Sequence, residues 1–133
     1  MRVAAGLYRG GTSRGLIFSA SDLAMYSQRA REYIICSAMG SPDPDQRQID
    51  GVGGGVSSLS KAAVVSVPSR DRHMDRLSRM GEEWAFPGVP WADDVVRACD
   101  AETGYDAVYR FGQVPVSGGT GIDWSATCGN MMS

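Results

Sequence analysis

A glycine-rich stretch leading into the only lysine of the chain constrains this sequence more than any other feature. Glycine has no Cβ and tolerates positive φ, so the stretch lets backbone come close to another group. Lys61 stands among 13 basic residues that are otherwise arginines, and a buried lysine, unlike an arginine, can lose its proton. The spacing fits a reactive amine beside a turn, and it also fits a surface lysine that begins a strand. The stretch covers residues 39–65 and contains Gly51, Gly53, Gly54, Gly55, Ser57, Ser58, Ser60 and Lys61.

Length and composition indicate one soluble, folded domain. The 133 residues are 43% hydrophobic and carry a net charge of −2, which suits a modest apolar core rather than a disordered chain. No basic cluster indicates nucleic acid as a partner. A membrane span needs a run of about 18 apolar residues, and the sequence contains none. We therefore expect a single domain over residues 1–133 that binds neither nucleic acid nor a membrane.

The cysteines and the single histidine favour a reduced, metal-free protein. Cys36, Cys99 and Cys128 are odd in number and widely spaced, and the N-terminus shows no apolar signal-peptide core. This pattern predicts free thiols and a cytoplasmic location rather than a disulfide framework. One histidine and no Cys-x-x-Cys pair argue against a zinc site. His73 lies in a charged stretch, where we assign it no role.

The pattern of apolar residues and turn formers predicts mixed helices and strands. A strand over residues 3–8, a turn over 9–15 and a returning strand over 16–18 form a hairpin. Ser21 and Asp22 offer an N-cap for a helix over about residues 22–38. Later elements are a buried strand (61–67), a charged stretch (70–83), an aromatic, proline-rich stretch (84–91), a short helix (92–101), strands over 105–116 and 122–125, and a turn at 126–130.

The turn at residues 9–15 combines glycines, hydroxyls and two arginines. Free backbone N–H groups beside Arg suit a carboxylate or a phosphate, so the turn is a candidate anion site. An ordinary glycine-rich hairpin turn has the same composition. Two further segments also stand out: residues 39–61, and a C-terminal group made of Phe111-Gly112-Gln113-Val114, Asp123-Trp124-Ser125 and Cys128-Gly129-Asn130.

Taken in order, these three segments resemble the PrpF family, which includes 2-methylaconitate cis–trans isomerases and 4-oxalomesaconate tautomerases. The family belongs to the diaminopimelate epimerase-like superfamily. The resemblance covers residues 3–67 and 105–130, and residues 70–104 look like an insertion. It implies an α+β fold in which a mixed sheet rolls around a helix, two pseudo-symmetric halves, and an active site in the cleft between them.

The resemblance also implies chemistry without a metal or cofactor. A base removes a proton next to a carboxylate-bearing carbon, and the double bond shifts. Lys61 and Cys128 match the family residues that stand at the reacting carbon, and a tuned lysine and a thiol with a depressed pKa suit such proton transfer. The implied substrate-binding residues are Arg9, Gly10, Gly11, Thr12, Ser13, Ser57, Ser58, Ser60, Gly129 and Asn130.

Three departures from the family pattern bear on function. Ala126-Thr127 precedes Cys128 where the family has Gly-Asn, and Arg14 stands where lysine is common. Family members are also much longer, and this sequence stops where their central helix would begin. We therefore expect a homo-oligomer or a partner chain to complete the cleft.

Three interpretations of function follow. The first, which we favour, is a cofactor-independent isomerase or tautomerase of a small carboxylic acid. The second is a scaffold reused as a cyclase or isomerase of a hydrophobic metabolite, with Trp84, Phe86 and Trp91 lining an apolar pocket. The third is a non-catalytic remnant or binding module.

Overall fold

The computed structural model describes residues 2–66, 107–117 and 121–132. These residues form a four-stranded sheet with helices packed on one face. The charged stretch, the aromatic stretch and the short helix predicted between residues 70 and 101 lie outside these residues. The elements are β1 (Ala5–Gly10), β2 (Ser13–Ser19), α1 (Ala20–Leu23), α2 (Gln28–Met39), β3 (Lys61–Ser66) and β4 (Val108–Gln113), with 3-10 turns at Ser57–Leu59 and Gly129–Met131.

The sheet is mixed, as the resemblance implies. Its order is β1-β2-β3-β4. β1 and β2 form an antiparallel hairpin, β2 and β3 run parallel, and β3 and β4 are antiparallel. A parallel pair needs a crossover connection, and the chain between β2 and β3 supplies it with both helices.

The hairpin turn is shorter than predicted. β1 extends to Gly10 and β2 begins at Ser13, so the predicted turn over residues 9–15 contracts to Gly11 and Thr12. Gly11 has a φ of 52°, which a residue with a Cβ adopts less readily. The contraction places Arg9 and Ser13 in strands, where their side chains alternate between the two faces of the sheet.

The single helix predicted over residues 22–38 is wrong: the chain forms α1 and α2 with a break between them. Ser27 caps α2, since its side chain accepts a hydrogen bond from the Ala30 N–H at 3.4 Å. The buried Arg31 side chain donates to the Leu23 and Ala24 carbonyls at the end of α1, at 2.9 and 3.3 Å. Because these carbonyls are hydrogen-bonded by Arg31, α1 can end at Leu23 without leaving them unsatisfied.

The hydrophobic core lies between the sheet and α2. On β2 and β3 every second residue faces it, and this side of the sheet packs against apolar side chains of both helices and of the segment after β4. The cluster consists of Leu16, Phe18, Ala20, Leu23, Ile35, Met39, Ala62, Val64, Val114, Ile122 and Trp124.

The segments after β3 differ in extent from the prediction. β4 ends at Gln113 rather than at residue 116, and the predicted strand over 122–125 contributes one bridge, between Asp123 and Gln113. Cys128 follows as the N-cap of the 3-10 turn Gly129–Met131. Within the described residues, no helix combines the length and apolar character that crossing a membrane requires.

Candidate active site

The candidate site lies on the face of the sheet opposite the core. Tyr8, Gly15, Lys61 and Gln113 form one row across all four strands, because each pairs with the next in register. A Cβ on Gly15 would collide with the Lys61 carbonyl oxygen. The missing side chain at Gly15 therefore lets β2 and β3 come together at the lysine.

The Lys61 side chain is held by two groups from β4. Lys61 is 9% exposed, and its Nζ donates to Gln113 Oε1 at 2.9 Å. Nζ also lies 5.1 Å from the centre of the Phe111 ring, within the range of a cation–π interaction. The structure thus makes Lys61 a buried residue rather than a surface lysine that begins a strand.

Cys128 reaches the same face from the C-terminal segment. Its Sγ lies 3.5 Å from Ser13 Oγ, and strand alternation places Ser13 on the face of Gly15 and Lys61. Asn130 Nδ2 donates to Thr12 Oγ1 at 3.2 Å and to Ser13 Oγ at 3.5 Å. Because Ser13 accepts from this amide, its own proton can point to the Cys128 sulfur.

The electrostatics of Cys128 connect it to Lys61. Burial raises the pKa of the thiol, but the Ser13 hydroxyl, the Met131 N–H and the positive charge of Lys61 outweigh burial and leave the pKa below its ordinary value of 9.0. Cys128 also acts on Tyr109. Burial and, second, the negative charge of the Cys128 thiolate raise the pKa of the Tyr109 hydroxyl. A lowered pKa gives a thiol more of the reactive thiolate.

The glycine-rich stretch packs closely against the end of α2 and against Gln48 rather than against the candidate site. A Cβ on Gly53 would lie 2.5 Å from the Met39 carbonyl oxygen, at the end of α2, and would also collide with Gln48. The buried Gln48 joins this stretch to the rest of the fold. Its amide bonds the Gly55 N–H, the Ser60 hydroxyl and the Pro115 carbonyl.

The structure brings together only part of the predicted site. Lys61, Cys128, Ser13, Thr12 and Asn130 lie together, and Gly10, Gly11 and Gly129 are their chain neighbours. The carbonyl oxygen of the exposed Ser57 accepts from Gln113 Nε2 at 3.1 Å, and Ser58 is half-buried beside it in the 3-10 turn.

Two predicted residues are placed elsewhere. Ser60 is fully buried, and its hydroxyl lies within hydrogen-bond distance of Gln48 and of the Val56 carbonyl. Arg9 is exposed and donates to the Gly11 carbonyl at 3.3 Å. Strand alternation places its side chain on the face opposite Ser13 and Lys61. Their substrate-binding roles stay predictions that this placement does not favour.

Sequence reasoning missed Gln113, Phe111 and Gln48 as residues that shape the site. Gln113 and Phe111 stand in a segment that the resemblance singled out, but their role depends on the β3–β4 register. That register cannot be read from local pattern. Trp84, Phe86 and Trp91, proposed above to line an apolar pocket, lie outside the described residues. Within the described ranges, no cluster of three or more His, Cys, Asp or Glu side chains is placed to hold a metal ion.

Comparison with known families matches the part of the chain that forms β1, β2, β3 and both helices. The family model described as "PrpF protein" matches residues 1–77, more than half of the chain. The chain belongs to the PrpF family. The match includes β1, β2, both helices, the glycine-rich stretch and Lys61. Cys128 lies beyond the matched residues, so its place in the site depends on the structure.

The curated PrpF-family relatives are isomerases and tautomerases by name. "2-Methyl-aconitate isomerase" of Shewanella oneidensis is 34% identical over 98% of this chain and 25% of its own length. "4-Oxalomesaconate tautomerase" of Pseudomonas putida is 45% identical over 49% of this chain and 17% of its own length. This PrpF-family chain thus spans about a quarter or less of these proteins.

A solved PrpF-type structure has the same fold. The crystal structure of a methylitaconate-delta-isomerase superposes with a TM-score of 0.62 and 26% identity, over 99% of this chain and 25% of that one. The α+β fold predicted from the resemblance is confirmed for the described residues.

Proposed function

We propose that this PrpF-family chain carries one wall of the active site of a cofactor-independent isomerase that moves a proton within a small carboxylic acid. Lys61 and Cys128 form the acid–base pair. The observation that carries the proposal is their placement on one face, where the charge of Lys61 helps to lower the pKa of Cys128. Carbon-acid chemistry needs one group that removes a proton and one that returns it, both within reach of the same carbon.

The reaction requires one proton to leave and one to return. One member of the pair removes a proton from a carbon next to the carboxylate-bearing double bond, and the electron pair delocalises toward the carboxylate. The other member returns a proton to the far carbon of the original double bond, which thereby becomes a single-bonded carbon. Nothing is oxidised or reduced, so no redox partner is needed. The resemblance implies that the lysine and the thiol both stand at the reacting carbon, one as the acid and the other as the base.

The neighbouring polar groups support a carboxylate-binding role. Thr12 Oγ1 accepts a hydrogen bond from Asn130, which leaves the Thr12 hydroxyl proton free to point at a ligand. The exposed Gly11 and Gly129 bring backbone to the same edge of the site. Fixed hydroxyl and N–H donors of this kind stabilise the negative charge that develops on a carboxylate during proton removal.

We propose that the opposite wall of the cleft comes from outside these 133 residues, and that a second copy of the chain can supply it. The chain spans about a quarter of the length of its relative from Shewanella oneidensis. Light scattering at micromolar concentration tests the self-association. A stable dimer supports a cleft rebuilt from two copies, whereas a monomer contradicts it.

The activity is tested by proton exchange in D2O, followed by 1H NMR. The substrates are those in the names of the relatives: 2-methylaconitate, 4-oxalomesaconate and 3-methylitaconate. We expect isomerisation with deuterium incorporation into at least one of them. Acid–base groups typically contribute about 10²–10⁴-fold to rate, so Lys61→Met and Cys128→Ser should each reduce exchange by about 100-fold or more.

Cys36→Ser is the matched control for the thiol, since Cys36 lies in α2 and packs against the core. It should leave the exchange rate unchanged. Equal activity in the wild type and Lys61→Met, or no exchange of any of the three acids by the wild type, would contradict the proposed function.

A further inference from the structure

Gln113 occupies the position opposite Lys61 and is fixed there by its backbone. It pairs with Lys61 in the antiparallel β3–β4 ladder. On its other side it exchanges two hydrogen bonds with Asp123: the Gln113 N–H donates at 2.8 Å and its carbonyl accepts at 3.0 Å. Gln113 is thus in register with Lys61 on one side and hydrogen-bonded to Asp123 on the other, which fixes the point from which its side chain starts.

The Gln113 amide is held in one orientation by backbone carbonyls. Nε2 lies 2.8 Å from the Ser60 oxygen, 3.1 Å from the Ser57 oxygen and 3.3 Å from the Val114 oxygen. Only a donor suits this ring of acceptors, because an amide oxygen there would be repelled. The hydrogen-bond network therefore assigns the amide nitrogen to the carbonyls and leaves Oε1 for the Lys61 ammonium.

An amide acceptor positions a lysine without neutralising it. A carboxylate at 2.9 Å would form an ion pair and cancel much of the lysine charge, whereas the amide oxygen accepts one hydrogen bond and carries no net charge. The Phe111 ring supports the same ammonium from a second direction at 5.1 Å. The positive charge of Lys61 thus remains uncancelled on the face of the sheet that also carries Ser13 and its contact with Cys128.

We propose that Gln113 is the positioning residue of the site: its clamped amide holds the Lys61 ammonium beside Cys128 and thereby couples the two proposed acid–base groups. This inference deepens the proposed function and depends on the same pair. Gln113 acts through its hydrogen bond to Lys61 rather than on the substrate itself. Its loss should therefore be felt at Cys128 only while Lys61 is present.

The test is a double-mutant cycle with the Cys128 thiol as reporter. The pH dependence of iodoacetamide alkylation at Cys128, read by peptide mass spectrometry, is compared for the wild type, Gln113→Leu, Lys61→Met and the double variant. Thiolate is the reactive form. We expect Gln113→Leu to raise the alkylation midpoint toward that of Lys61→Met, and the double variant to match Lys61→Met.

Two outcomes would overturn the inference. If Gln113→Leu keeps the wild-type midpoint while Lys61→Met raises it, Gln113 does not hold the lysine. If the two substitutions raise the midpoint additively, Gln113 acts on Cys128 independently of Lys61. The reporter needs no substrate, so an enzyme without isomerase activity would still give a clear answer, and the two proposals fail separately.

A second measurement covers the case in which Gln113→Leu fails to fold. Because Lys61 is the only lysine, 13C-lysine labelling gives a single Cε signal. A held side chain gives two inequivalent Hε protons, and a mobile one gives a single averaged resonance. We expect two in the wild type and one in the shorter, still polar Gln113→Asn. Inequivalent protons in both would contradict the inference.

Discussion

The two faces of the sheet are built from the same strands and behave in opposite ways. Phe18 and Val64 face α2 and are buried in a continuous apolar cluster. Ser13 and Gly15 on β2 and Lys61 on β3 alternate with these residues and lie on the other side, where hydroxyl, ammonium and thiol groups meet. Strand alternation alone separates a stabilising face from a reactive one.

The two described cysteines show what this separation does to chemistry. Cys36 lies in α2, where burial and then the negative charge of Glu32 raise its pKa to about 11. At Cys128 the Ser13 hydroxyl, the Met131 N–H and the Lys61 charge outweigh burial and lower the pKa. A free thiol in this fold is therefore inert or reactive according to the face it occupies.

The largest effect should come from breaking the core face. Phe18→Ala removes a side chain that is 2% exposed, and such a truncation typically costs about 3–5 kcal/mol of unfolding free energy. Ser13→Ala, on the same strand but the other face, should cost only about 1 kcal/mol, the value of a typical hydrogen bond. Urea denaturation measures both. Comparable losses of unfolding free energy in the two variants would contradict the conclusion that the core face supplies most of the stability.

A smaller loss of stability is expected at Gly15, where the backbone of β2 lies close to that of β3 at Lys61. Gly15→Ala places a Cβ against the Lys61 carbonyl, and such overpacking typically costs about 1–3 kcal/mol. Gly129→Ala is the matched control, because its Cβ would meet nothing within 4 Å. Thermal unfolding should separate the two variants. Equal melting temperatures would show that the β2–β3 approach is not tight at Lys61.

Much of this fold could be predicted because it depends on local pattern. Short apolar and β-branched runs predict the β1–β2 hairpin and β3, and the resemblance predicts a mixed sheet with Lys61 and Cys128 at the site. The break between α1 and α2 escaped because Ser27 looks like one more polar residue in a helical pattern. The break also depends on the burial of the Arg31 side chain against the end of α1, and this tertiary contact is not visible in the local sequence.

The partners within the site were harder to predict than its two principal residues. The resemblance implies that Ser60 binds substrate, yet it is buried against Gln48. Gln113 lies inside the strand predicted over residues 105–116 without any predicted partner, yet the β3–β4 register places it opposite Lys61. The placements of Ser60 and Gln113 depend on strand register and long-range contacts, which the local sequence does not indicate.

The most direct test of this account measures both described thiols in one sample. Iodoacetamide alkylation of Cys36 and Cys128 is followed from pH 6 to 11 by peptide mapping, which also separates them from Cys99. Thiolate forms as the pH rises through each pKa, so Cys128 should react first, with a midpoint below the ordinary thiol value of 9.0. Cys36 should follow near its pKa of about 11. Coincident midpoints, or Cys36 reacting first, would contradict the claim that the Lys61 face activates Cys128.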